Sequence, residues 1–155
     1  MYASQPTTDV AVEFHARSEL PPPAQQRATQ VLEELTVLLG EGALDELDRS
    51  TWPARVPVAD PPPELRDAYL AYEQLAEERG HRLTPFFQTR ECYTPEYGGW
   101  TDWLVLPAMC LAVYEDVELT AVYPHTDGEE TYTVQDGLDL LTRTLETDQS
   151  TVVAD

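Results

Sequence analysis

The longest apolar run of the chain covers residues 103–114, and a polar turn at 115–118 separates it from a second apolar run at 119–124. Both alternating faces of the first run are apolar, which is typical of a strand covered by helices on both sides. Pro107 lies inside the run. Because proline has no N–H to donate to a strand ladder, we expect the central strand to begin at Pro107.

Strand and helix periodicities predict the remaining elements. Alternating apolar and polar residues at 10–17 indicate a strand, and apolar residues at helical spacing indicate helices at 24–39 and 64–79. A less regular second strand is expected within 44–58, where Leu47 and residues 52–58 are the candidates. A hairpin with its tip at 94–99 is expected within 83–106, and a last helix follows a Thr133–Asp136 capping box.

This order of elements predicts an α/β fold: a βαβ unit and a ββα unit forming a three-layer sandwich with a central mixed sheet and an inserted β-hairpin at about 83–106. Right-handed crossover makes the first two strands parallel, and the short turn at 115–118 makes the last two antiparallel. We expect one domain at 10–146, with flexible termini at 1–9 and 147–155.

The chain is strongly acidic, with 29 acidic residues, nine arginines, no lysine and a formal charge of −20. This composition resembles that of haloarchaeal cytoplasmic proteins, in which molar salt screens the repulsion between carboxylates. The arginines are scattered along the chain, so nucleic-acid binding is not favoured. No secretion signal, membrane-spanning run, metal-ligand spacing or cofactor motif occurs, and a cytoplasmic location without metal or cofactor is expected.

Two segments resemble the thioredoxin and glutaredoxin family. Residues 12–22 look like its first strand and active-site turn, and Leu106-Pro107-Ala108 looks like its cis-proline. The resemblance implies a thioredoxin-like fold. However, Glu19 and Pro22 stand where the family has its two cysteines, so we expect no dithiol redox activity.

The segment 106–116 is also similar to a group of haloarchaeal proteins that are often described as helix-turn-helix proteins. That group has glycine where this chain has Val117. Because a β-branched residue is disfavoured at positive φ, Val117 disfavours the two-residue turn that an Asp-Gly pair would favour.

The sequence offers an interaction cleft, an aromatic surface and isolated reactive groups as candidate sites. Cys110 is a possible thiol or a buried core residue, and His15 beside Glu13 is a possible acid–base pair or a half-exposed strand residue. The hairpin aromatics form either an interaction surface or a small core. The cleft is expected at Glu19, Leu20, Pro21, Pro22, Leu106, Pro107 and Ala108, and the aromatic surface at Phe86, Tyr97, Trp100 and Trp103.

Three functions follow from these candidates. The first is a redox-inactive, thioredoxin-like module that binds a protein partner or a second copy of itself, since the backbone beside the family's cis-proline pairs with extended peptides. The second is a helix-turn-helix transcriptional regulator, although the two main helices are too far apart in sequence for the usual tight turn. The third is an enzyme that uses Cys110 alone.

Overall fold

The computed structural model describes residues 9–153, and for Tyr97 and residues 144–153 it describes the backbone alone. Nine strands, three α-helices and one 3-10 turn occur within that range. In chain order they are β1 Val10–Arg17, α1 Pro22–Gly40, β2 Glu46–Trp52, β3 Arg55–Pro57, α2 Pro63–Arg79, β4 Gln88–Thr94, the 3-10 turn Pro95–Tyr97, β5 Gly99–Val105, β6 Met109–Glu115, β7 Glu118–Tyr123, β8 His125–Thr126, β9 Thr131–Tyr132 and α3 Val134–Val153.

The central sheet has four strands in the order β2-β1-β6-β7. Strands β1 and β2 are parallel, whereas β6 is antiparallel to both β1 and β7. The prediction of a mixed sheet with a parallel first pair and an antiparallel last pair is therefore confirmed. Strand β6 begins two residues after Pro107, because the proline cannot donate to the ladder.

Helices cover both faces of this sheet. Alternate residues of β6 point to opposite sides: Leu111 and Val113 pack with α1 and α3, and Cys110 and Ala112 pack with α2. All four are at most 5% exposed, which explains why the run is apolar at every position. The prediction of an α/β fold with helices on both faces is confirmed.

The predicted hairpin is also present, since β4 and β5 pair in antiparallel register around the 3-10 turn. The sequence did not reveal that β3 joins it, giving a second sheet in the order β3-β5-β4. As a result, the predicted second strand is divided: β2 belongs to the central sheet and β3 to the hairpin sheet. Pro53 separates the two strands.

The turn between β6 and β7 has the two-residue form although Val117 disfavours it. Asp116 and Val117 have φ values of 52° and 63°, so they form the two-residue turn with positive φ at both central positions. The Asp116 carboxylate accepts a hydrogen bond from the Asp9 N–H at 3.0 Å, and the Asp116 N–H donates to the Asp9 carbonyl at 2.8 Å. These contacts stabilise the turn although Val117 is strained in it.

The capping of α3 agrees with the prediction. The Thr133 N–H donates to the Asp136 carboxylate at 2.8 Å, and the Asp136 N–H donates to the Thr133 hydroxyl at 3.2 Å. The helix continues through Val153, beyond the predicted domain end at 146. Residues 1–8 and 154–155 of the expected flexible termini lie outside the described residues, and flexibility at 147–153 stays a prediction. None of the described helices is long and apolar enough to cross a membrane.

Candidate functional site

The two segments of the predicted interaction cleft lie close together. The Arg17 N–H, at the end of β1, donates to the Ala108 carbonyl at 2.9 Å. The Ser18 N–H that follows donates to the Trp52 carbonyl at 2.9 Å, and the Trp52 indole N–H donates to the Pro107 carbonyl at 3.1 Å. The start of the β1–α1 turn and the segment before β6 are therefore joined through Trp52.

The backbone around Pro107 already has partners within the chain. The Leu106 N–H donates to the Ala54 carbonyl at 2.9 Å, and the Leu106 carbonyl accepts two hydrogen bonds from the Arg17 guanidinium. Leu106 and Pro107 are both buried. An extended peptide could pair with this backbone only by displacing Arg17 or Ala54. The cis-proline that the resemblance implied is not found here, since the cis bonds of the described residues are Thr84–Pro85 and Tyr123–Pro124.

A groove of about 660 Å³ opens beside this region, between α1 and the ends of β1 and β2. Its lining includes Arg17, Glu19, Leu20, Arg49 and the strand residues next to them. Of the predicted cleft residues, Glu19 and Leu20 line the groove, whereas Pro21, Pro22, Leu106, Pro107 and Ala108 do not.

The predicted aromatic surface is divided between the interior and the solvent. Trp103 is 8% exposed, and its indole N–H donates to the Thr94 hydroxyl at 3.2 Å. The guanidinium carbon of Arg55 lies 4.5 Å from the centroid of the Trp103 ring. Phe86 is partly buried against the α2 side of the core. Trp100, by contrast, is 69% exposed. The Tyr97 side chain lies outside the described residues.

Trp100 has an aromatic partner that the prediction omitted. Tyr93 lies directly opposite it across the β4–β5 pair and is 62% exposed. The two rings contact edge to face, with centroids 5.6 Å apart. The sequence could have predicted this partner, because a hairpin with its tip at 94–99 pairs residue 93 with residue 100.

A polar cluster lies on the α2 side of the central sheet, around Glu13. The hydroxyl groups of Tyr114 and Tyr72 donate to the same Glu13 oxygen at 2.9 and 3.2 Å, and His15 Nε2 lies 3.9 Å from it. His15 Nδ1 is 2.6 Å from the Ser50 hydroxyl oxygen, and Trp52 stacks on the imidazole at 4.6 Å. The proximity of Glu13 and His15 was predicted from the sequence. The contact of Tyr72 with Glu13 was not, because 59 residues separate the two in the chain.

The electrostatics of this cluster favour an ionised carboxylate. The His15 imidazole, together with the hydroxyl groups of Tyr114 and Tyr72, lowers the pKa of Glu13 although partial burial opposes this. Burial and the negative charge of Glu13 in turn raise the pKa values of Tyr72 and Tyr114 well above the usual range. The tyrosines therefore remain protonated and act as hydrogen-bond donors. His15 lies between two hydroxyl groups, with Nδ1 2.6 Å from that of Ser50 and Nε2 3.3 Å from that of Tyr72. A histidine beside hydroxyl groups and a carboxylate is suited to acid–base chemistry.

The thiol candidate lies in the core. Cys110 is 0% exposed, and its strand position is opposite His15. Burial, together with the nearby Glu13 charge, raises the pKa of the Cys110 thiol well above its usual range. A nucleophilic thiolate is thus disfavoured at this position. Cys92 is partly buried, and its sulfur accepts a hydrogen bond from Arg55 at 3.2 Å; both cysteines are free thiols. Among the described residues, no group of three or more potential ligand side chains is placed to hold a metal ion.

The described residues form a mixed α/β domain with a polar cluster around Glu13. The turn between β1 and α1 contains no thiol. The chain belongs to the helix-turn-helix domain family, whose model matches residues 4–146. No curated protein and no solved structure matches the chain.

The helices of the described residues do not form the compact unit that the family description suggests. Helices α1 and α2 are separated in sequence by β2 and β3. They also pack on opposite faces of the central sheet, α1 with α3 and α2 with the hairpin sheet. A helix-turn-helix unit needs two consecutive helices joined by a short turn and packed against each other, and no pair of helices within residues 9–153 meets that condition.

Proposed function

We propose that this protein is a regulatory protein-interaction module with a thioredoxin-like fold that lacks dithiol chemistry, and that it contacts its partner through the hairpin β4–β5. The fold assignment is supported by the strand order β2-β1-β6-β7 and by helices α1 and α3 on one face with α2 on the other. Glu19 and Pro22 in the turn after β1 supply no thiol for redox exchange.

The exposed pair of Tyr93 and Trp100 is the observation that carries the proposed contact. Large aromatic side chains are favoured at the centres of protein interfaces, because they bury much area at little cost in conformational entropy. Strand β4 is an outer strand of its sheet, so one edge of its backbone is open to an added strand. The hairpin thus offers both aromatic anchors and backbone hydrogen-bonding groups.

The charge around these aromatics indicates the chemistry of the partner. Glu91 and Asp102 lie directly opposite each other across β4 and β5, and both are exposed. Like charges in this position destabilise a sheet. The ion pairs found among the described residues, His15–Glu13 and Arg66–Asp67, neutralise neither carboxylate. We therefore expect a partner with an apolar patch flanked by arginine or lysine, which would relieve this repulsion.

A peptide titration in molar KCl tests the proposal. The probe is an amphipathic peptide of alternating arginine and leucine, and its binding is followed by fluorescence anisotropy. We expect Trp100→Ser to weaken binding by at least about tenfold, which corresponds to 1.4 kcal/mol. Asp102→Asn should weaken binding less. The matched control is Leu70→Ser on α2, because Leu70 is 56% exposed and lies outside the hairpin.

Equal loss of binding in Trp100→Ser and Leu70→Ser would contradict the proposal, because it would show attraction to the acidic surface as a whole. Sedimentation of the free protein in the same buffer provides a second outcome. Self-association that is abolished by Trp100→Ser would mean that a second copy, and not a basic partner, occupies the hairpin. The acidic composition supports a protein that works in concentrated salt, which is why molar KCl is used.

Family membership favours a second candidate, a transcriptional regulator that contacts DNA. However, the arginines are scattered along the chain, and α1 is separated from α2. Neither helix is therefore suited to act as a basic recognition helix. Titrating a fluorescent DNA duplex with the protein at low and at molar KCl distinguishes the two functions. Duplex binding that falls steeply with salt would favour the DNA-binding function.

A further inference from the structure

A second cavity, of about 240 Å³, lies at the edge of β7, where the C-terminal half of α2 faces the β8–β9 hairpin. Its apolar lining includes Leu75, Leu83 and Val122, and its polar lining includes Arg79, His125 and Asp127. It is smaller than the pockets of about 300–1,000 Å³ that hold drug-sized ligands. A ligand of this cavity must therefore be a small molecule with an apolar body and polar ends.

His125 presents an unused hydrogen-bond acceptor at this cavity. The side chain is 8% exposed, and its Nδ1 donates to the Val122 carbonyl at 2.7 Å. Because a carbonyl only accepts, Nδ1 carries the proton and Nε2 keeps a lone pair in the neutral ring. The hydrogen bonds among the described residues include no partner for Nε2. Burial and the adjacent His81 lower the pKa of His125, so the ring is kept neutral.

The rings around His125 fix its orientation. His81 stacks on it with a centroid distance of 4.3 Å, and Tyr132 stacks at 5.0 Å. Tyr123 contacts it at 5.2 Å with the planes tilted by 41°. A ring held between these neighbours interacts with a ligand through its edge, which is where Nε2 lies. No fully buried side-chain nitrogen or oxygen of the described residues lacks a hydrogen-bond partner, so Nε2 is reached by solvent, and a ligand donor can take the place of water there.

Two groups of opposite charge line the same cavity. Arg79 is exposed and belongs to neither of the ion pairs found among the described side chains, although acidic residues outnumber arginines by 29 to nine. One Asp127 oxygen accepts hydrogen bonds from the N–H groups of Glu129 and Glu130, both at 2.8 Å, and these bonds lower the pKa of Asp127. The cavity therefore combines a cation, a carboxylate, a neutral acceptor and apolar walls.

From this combination we propose that the cavity binds a free α-amino acid with an apolar side chain. The ammonium group donates to His125 Nε2 and to Asp127, the carboxylate contacts Arg79, and the side chain packs against Leu75, Leu83 and Val122. This site lies apart from the hairpin surface and does not depend on the proposed protein interaction.

Titration of the full chain with L-leucine and L-phenylalanine in molar KCl tests the proposal by isothermal calorimetry. N-acetyl-leucine lacks the ammonium group and leucinamide lacks the carboxylate, so both should bind at least about tenfold more weakly than L-leucine. Arg79→Gln should weaken L-leucine binding by a similar factor. The matched control is Arg82→Gln, because Arg82 is also an exposed arginine and is absent from the cavity lining.

Nitrogen NMR of the imidazoles provides a readout that does not depend on any substitution. We expect L-leucine to shift the Nε2 resonance of His125 and to leave both nitrogens of His15 unchanged. Absence of binding by both amino acids would overturn the proposal. Equal binding of L-leucine and its two derivatives would also overturn it, as would equal effects of Arg79→Gln and Arg82→Gln.

Discussion

The Arg17 guanidinium donates two hydrogen bonds to the Leu106 carbonyl, across 89 residues of sequence. This contact ties the end of β1 to the segment that leads into β6. Together with the Trp52–Pro107 bond, it uses the carbonyl groups with which a thioredoxin-like protein would engage an extended peptide. The Leu106–Pro107 part of the predicted cleft is thus occupied by the chain's own side chains, whereas Glu19 and Leu20 line the open groove.

Replacing Arg17 tests how strongly this contact stabilises the fold. In Arg17→Met the Leu106 carbonyl loses both side-chain donors in a buried position, so we expect the free energy of unfolding to fall by about 1–3 kcal/mol. Denaturant titration in molar KCl measures the change. Arg49→Met, at an exposed arginine of β2, should stay within about 0.5 kcal/mol of the unsubstituted protein. Similar losses in the two variants would show that the Leu106 contact contributes little.

The fold was predictable because its elements are encoded locally. Alternation defined β1, helical spacing defined α1 and α2, and the Thr133–Asp136 box marked the start of α3. Strand β2 was harder, since six of its seven residues are not fully buried and its only clear apolar marker before Trp52 is Leu47. Its edge position beside β1 explains this weak pattern.

The sites were less predictable because they depend on contacts between distant segments. Tyr72 carries the helical pattern of a core residue, and nothing in α2 indicates that its hydroxyl reaches Glu13 on β1. His125 follows a strand within what looks like a polar loop, but the fold stacks it between His81 and Tyr132. Local patterns specify which residues are buried, whereas the partners of their polar atoms follow from topology.

Val117 provides a second prediction. It is 96% exposed and has a φ of 63°, so its side chain gains little from burial while its β-branch is strained. We expect Val117→Gly to raise the free energy of unfolding by about 1 kcal/mol. Val117→Ala removes the branch but keeps the β-carbon, and it should give a smaller gain in the same denaturant titration. A loss of stability in Val117→Gly would mean that the turn is not strained.

Gly137 provides the opposite case. Alanine is favoured over glycine in a helix by about 1 kcal/mol. At Gly137 of α3, however, an added β-carbon would overlap the buried Tyr123 ring. We expect Gly137→Ala to lower the free energy of unfolding by about 1–3 kcal/mol, as overpacking does. The control is Gly40→Ala in α1, where the β-carbon meets no atom within 4 Å and stability should not fall. A gain in Gly137→Ala would show that α3 can move away from β7 at little cost.

The Glu13 cluster predicts a dependence of stability on pH. The pKa of Glu13 is lowered in the folded protein, so between its folded and unfolded pKa values the unfolded state binds more protons. The stabilisation is therefore present above the unfolded pKa, about 4.3 for glutamate, and is lost as the pH falls through the folded value.

In Glu13→Gln the amide oxygen can still accept from Tyr72 and Tyr114, but this group no longer titrates. We expect the variant to lose less stability than the unsubstituted protein between neutral and acid pH, measured by denaturant titration in molar KCl. Glu46→Gln, at an exposed position of β2, controls for the removal of one carboxylate. If the two variants lose stability in parallel on acidification, protonation of Glu13 does not cause the pH dependence of stability.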